Sequence, residues 1–79
     1  MLVEEVVALI KAGIPDAEVS VDGEDCSFSV TVVSASFEGL SLLKKQQAVM
    51  ATVKEQIASG ALHAISVKAF TPEEWAAKQ

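Results

Sequence analysis

Arginine and tyrosine are absent from this 79-residue sequence, and histidine, cysteine and tryptophan occur once each. Each shortage removes a class of chemistry. Without arginine there is no bidentate guanidinium fork for base edges or phosphates. The single cysteine, Cys26, forms no internal disulfide, which suits a reducing compartment and leaves a free thiol. One histidine, no tyrosine and no glycine-rich phosphate loop leave few general acids, bases or phosphate clamps, so the chain reads as a non-enzyme. No apolar run approaches the roughly 20 residues of a membrane-spanning helix. Acidic Glu4 and Glu5 do not fit the basic start of a signal or transit peptide. The expected location is the cytoplasm, or an organelle after processing, with no membrane partner.

Charge is plentiful but uneven. Residues 1–39 hold one lysine against eight acids, residues 40–79 hold five lysines against three acids, and the net formal charge is −5. A net acidic chain is a poor match to the counterion release that drives nucleic-acid binding. Lys44, Lys45, Lys54 and Lys68 make the only basic surface. Among them Lys44, Lys45 and Lys68 are the expected docking residues for an acidic protein partner, against the ordinary alternative of a solvated helix face.

Periodicity orders the chain as one domain, residues 1–79. Val3, Val7, Ile10 and Ile14 recur at helical spacing over residues 2–11, and Gly13 and Pro15 supply a stop, with the glycine suited to a left-handed cap. Val19 and Val21 fit one face of a short strand over residues 18–21. The polar stretch Asp22 to Cys26 reads as a hairpin loop, and Phe28, Val30 and Val32 then alternate with polar residues as an antiparallel strand. After a turn at Phe37-Glu38-Gly39, Ser41 is a plausible cap for one long helix from Leu42 to about Ala58. Leu42, Gln46, Val49, Val53 and Ile57 line its inner stripe, flanked by Leu43 and Met50, and Ser59-Gly60 ends it. A strand over residues 62–70 turns His63, Ile65, Val67 and Ala69 one way. Thr71 to Glu74, with Pro72 at the first helical position, is a capping box that starts the last helix. The helix between the second and third strands is a crossover that makes those strands parallel. The expected fold is α+β, in the order αββαβα, with a mixed three-stranded sheet and its helices on one face.

Candidate sites are few. His63 fits a metal ligand, since neutral imidazole is the commonest such group; a histidine at a strand end or hydrogen-bonded in the core is the commoner case. Cys26 lies beside acids that keep a thiol protonated, and a small half-buried hydrophobe is its ordinary role. Together His63 and Cys26 offer two ligands, too few to close a zinc or iron–sulfur site, so a metal held here needs ligands from a second protein. Ser34 and Ser36 carry no nucleophile motif and suit turn chemistry. Asp22, Glu24 and Asp25 lack the distal glutamate of a calcium loop.

Three stretches in order carry a resemblance. The run Val32-Val33-Ser34-Ala35-Ser36-Phe37-Glu38-Gly39-Leu40-Ser41-Leu42-Leu43-Lys44-Lys45-Gln46-Gln47, then Leu62-His63-Ala64-Ile65-Ser66 and Thr71-Pro72-Glu73-Glu74-Trp75, resembles the BolA family over nearly the whole chain. Lys45-Gln46-Gln47 is more similar to the acid-stress branch called IbaG than to BolA proper, where an arginine–histidine pair replaces Lys45 and Gln46. The resemblance implies a class II KH-like fold without the nucleotide-clamping Gly-x-x-Gly loop. It implies a non-enzymatic partner of a monothiol glutaredoxin that shares a bridging [2Fe-2S] cluster, in iron–sulfur trafficking, iron or redox regulation and stress response. Glutaredoxin and glutathione supply thiolates, His63 is the ligand from this chain, and Cys26 stands for the second ligand of the loop between the first two strands. The isolated chain is then a monomer or weak homodimer with no tightly bound cofactor. The alternative is a DNA-binding regulator of stress or cell-morphology genes, using a helix-turn-helix-like surface around Phe37 to Val53.

Overall fold

The computed structural model describes residues 2–24, 27–62 and 64–78. Helix α1 spans Val3–Gly13, strand β1 Glu18–Glu24 and strand β2 Ser27–Val33. A 3-10 turn at Ala35–Phe37 leads to α2, Leu42–Thr52, and α3, Lys54–Ser59. Strand β3, Ala64–Phe70, and helix α4, Pro72–Lys78, complete the chain. The sheet order is β1-β2-β3, with β1 antiparallel and β3 parallel to β2. The expected α+β fold and mixed sheet are therefore present. Among the described residues no helix is long and apolar enough to cross a membrane.

The alternation in β2 sets the core. Phe28, Val30 and Val32 are buried, and their register partners are Ile65, Val67 and Ala69 on β3, with Val21 and Val19 beside Val30 and Val32 on β1. This face meets Val6 and Ile10 of α1, Val49 and Val53 around α2, and Phe37 and Leu62 from the connections. Each such buried aliphatic side chain contributes about 1.5–3 kcal/mol over its exposed state.

Several local expectations need correction. The buried stripe of α1 is Val6, Ile10 and Ile14, not Val3 and Val7; α1 is apolar on more than one side, and the sheet's position selects the stripe. Gly13 is not a left-handed cap. It is the last helical residue, and a Cβ there would sit 2.6 Å from Thr52 Cγ2, so the absent side chain lets α1 approach α2. β1 runs on to Glu24, because Asp22, Gly23 and Glu24 pair with Ser29, Phe28 and Ser27. That shortens the hairpin connection to residues 25–26, which lie outside the described residues.

The expected long helix is two. Thr52 Oγ1 donates to the Val49 carbonyl at 2.6 Å, back-bonding that bends helices, and Val53 leaves helical geometry at φ −120°, ψ 17°. Gly60, expected to help end the helix, caps α3 in the left-handed region at φ 83°. Leu42 and Leu43, expected on or beside the inner stripe, are 62% and 63% exposed, whereas Lys45 is buried. The inward stripe is Lys45, Val49 and Val53, an i, i+4, i+8 series. β3 begins at Ala64, two residues later than expected. Leu62 precedes it as a fully buried anchor, its N–H donating to the Gln56 carbonyl at 3.1 Å.

Candidate functional site

His63 and Cys26, the two expected metal ligands, lie outside the described residues. Their successors in the chain are described. Ser27 opens β2, Ala64 opens β3, and in the parallel ladder these two residues are register partners at one end of the sheet. Among the described residues no group of three or more histidine, cysteine, aspartate or glutamate side chains is arranged to hold a metal.

The three docking lysines separate. Lys44 and Lys68 are exposed, on α2 and β3. Lys45 is not part of that surface: it is 6% exposed and its Nζ meets Glu74 Oε1 at 2.6 Å. The Glu74 carboxylate also accepts from the Thr71 N–H at 2.8 Å, while Glu74 N–H donates to Thr71 Oγ1 at 3.2 Å. One carboxylate thus closes the expected capping box and joins α4 to α2. The hydrogen bond from Lys45, then that from Thr71, holds its pKa below the ordinary 4.5. The double role of Glu74 was missed, although the spacing of Lys45 to Val49 and Val53 was a legible sign that this lysine faces inward.

A second polar cluster also escaped the sequence. Ser34 Oγ donates to Asp16, 2.8 and 2.9 Å from its two oxygens, and the Ala35 N–H donates to the same carboxylate at 3.1 Å. Ser34 Oγ in turn accepts from the Ser36 N–H at 3.1 Å, the turn chemistry expected of these serines. The Ser34 hydrogen bond is the main cause of an Asp16 pKa below 3.8. Both depressed carboxylates are thus tied into structural bonds. A cleft of about 450 Å³ between α1 and α3 has Glu5 as its single titratable lining residue, with Gln56, Leu9 and three alanines around it. That lining offers no nucleophile.

With this arrangement in hand, a model described as BolA-like protein matches residues 11–74. The chain belongs to the BolA-like family. A relative from Acinetobacter guillouiae, named for its place in the rpoN-murA intergenic region, is 43% identical over 72 residues, 91% of this chain and 87% of that protein. The acid stress protein IbaG of Escherichia coli strain K12 is 40% identical over 72 residues, 91% of this chain and 86% of its own. The structure of a BolA homologue from Coxiella burnetii superposes with a TM-score of 0.85 at 26% identity, covering 96% of this chain and 97% of that one. The BolA-like architecture expected from the motifs is therefore the one this chain has.

Proposed function

We propose that this BolA-like chain acts without catalysing a reaction, as a stress-related partner of a monothiol glutaredoxin with which it shares a bridging [2Fe-2S] cluster. The observation that carries this reading is the Ser27–Ala64 pair. The chain's single cysteine and single histidine each precede one member of that pair by one residue, and consecutive Cα atoms are about 3.8 Å apart. One thiol and one imidazole suit mixed sulfur and nitrogen ligation of a [2Fe-2S] centre, and they are half of the four ligands it needs. A partner's thiolates, from glutaredoxin and glutathione, make up the rest. When bound, the cluster would supply one-electron redox chemistry; His63 and Cys26 would hold it on this chain. The BolA-like family match and the stress-protein name of a similar protein support the non-enzymatic reading. The name of the similar Escherichia coli protein supports the link to stress.

The DNA-binding alternative has less support. Within residues 37–53, Phe37, Lys45, Val49 and Val53 are buried, which leaves Lys44 as the exposed cation of that surface. The test is reconstitution. The purified protein, its organism's monothiol glutaredoxin, iron, sulfide and glutathione are combined, and a parallel sample receives duplex DNA. A visible-absorbing heterocomplex is expected. Its failure to form, with salt-dependent binding to a defined DNA sequence instead, would favour the regulator.

A further inference from the structure

β3 is an edge strand: among the described residues no strand lies beyond it. Successive residues of a strand turn their backbone groups to opposite sides. The Phe70 carbonyl accepts from the Ser34 N–H on the β2 side. Counting back by twos, Lys68 and Ser66 also face β2, and Val67 and Ile65 face outward. The Val67 carbonyl confirms the count, because it meets the Gln46 side-chain amide of α2 at 3.3 Å. That is a long hydrogen bond for N–H to O. A cleft of about 310 Å³ runs along this edge, lined by Gln46, Met50, Ile65, Ser66 and Val67.

We infer that the Ile65–Val67 edge of β3 receives a short, extended, acidic segment of the protein partner as an added strand, with the Gln46 amide as a placeholder that yields the Val67 carbonyl to the incoming N–H. The identity of the partner rests on the function proposed above; the edge and its chemistry do not. An exposed edge with outward N–H and C=O groups recruits extended peptides through main-chain hydrogen bonds. Charge selects the kind of peptide. Residues 40–70 hold four lysines against one acid, Glu55, and Lys54 and Lys68 are exposed. The rest of the chain is strongly acidic, so an acidic segment is attracted here and repelled elsewhere. A nucleic acid would meet the same lysines but no arginine and a net charge of −5. Position adds to the case: this edge starts two residues after His63, so a partner that brings a cluster to His63 can extend along it.

Amide hydrogen exchange of the ¹⁵N-labelled full chain tests the inference, alone, in the cluster-loaded complex with glutaredoxin, and with a short single-stranded oligonucleotide. The Ile65 and Val67 N–H groups are expected to exchange at least about tenfold more slowly in the protein complex, with Val30 and Val32 unchanged. Gln46→Glu, which sets a like charge in the cleft, is expected to weaken the complex about tenfold, and Gln46→Ala much less. A coloured complex in which Ile65 and Val67 exchange as in the free chain would overturn the edge docking and leave the cluster reading standing. Failure to form any complex would remove both. Protection of the same amides by the oligonucleotide in place of the protein would also overturn it.

Discussion

Replacing the Glu74 carboxylate by an amide would keep an oxygen for Lys45 Nζ and the Thr71 N–H but remove the negative charge both now meet. Lys45 would then keep a buried ammonium with no counter-charge, a costlier state than the loss of both members. Glu74→Gln is therefore expected to lower the melting temperature, and Lys45→Met added to it to recover much of the loss. A Lys45→Met addition that lowers the melting point further would contradict the pairing. Leu62→Ala should cost about 2–5 kcal/mol, the range for deleting a fully buried aliphatic side chain, measured by chemical denaturation. Trp75 is a milder case. It is half-buried and rests on Phe70 with ring centroids 5.4 Å apart, so its truncation should cost less. At this scale the sequence was legible in the turn and capping chemistry of Ser34, Ser36, Ser41 and Thr71, and misleading where type and environment disagree. A lysine usually snorkels to water, so Lys45 was placed on the surface, and two leucines opening α2 were placed inside.

Whole elements were easier to read than their ends. Alternation over Phe28, Val30 and Val32, and the capping chemistry at Ser41 and Thr71, signal strand and helix starts from within a few residues. The break at Val53 and the extension of β1 to Glu24 depend on a side-chain bond to a carbonyl and on cross-strand pairing, neither of which leaves a periodic signal. Helix α4 gives a prediction in pH. Glu74 has a folded-state pKa below its ordinary 4.5, and Asp16 one below 3.8. A group depressed on folding stabilises the fold above its unfolded pKa, and the contribution is lost as pH falls through the folded value. The contribution of these two carboxylates should thus be fully present well above pH 4.5 and be lost progressively as pH falls below it. The fall should be shallower in the Lys45→Met, Glu74→Gln protein. An acid limb with the same slope in both would contradict the assignment.

At the scale of the molecule, charge and topology divide the surface. The acidic first half and the lysine-bearing stretch over α2, α3 and β3 give the chain two signs. Exposed Lys44 and Lys68 are expected to set the rate and salt dependence of partner association more than its final affinity, whereas Lys45 is not available for that role. Stopped-flow association of Lys44→Ala and Lys68→Ala proteins at two salt concentrations checks this; unchanged rates at low salt would contradict it. The parallel pairing of β2 with β3 follows from the crossover through α2 and was foreseeable, but its register was not. That register sets Ser27, the residue after Cys26 in the sequence, opposite Ala64, the residue after His63.

Reconstitution with His63→Ala in place of the wild-type chain tests the proposed ligand role of His63 most directly. The visible spectrum of the mixed glutaredoxin complex should disappear while the circular dichroism of the free variant matches wild type. Cys26→Ser should weaken or alter the spectrum without abolishing it. A His63→Ala protein that forms the heterodimeric cluster with wild-type spectrum and lifetime would contradict the account.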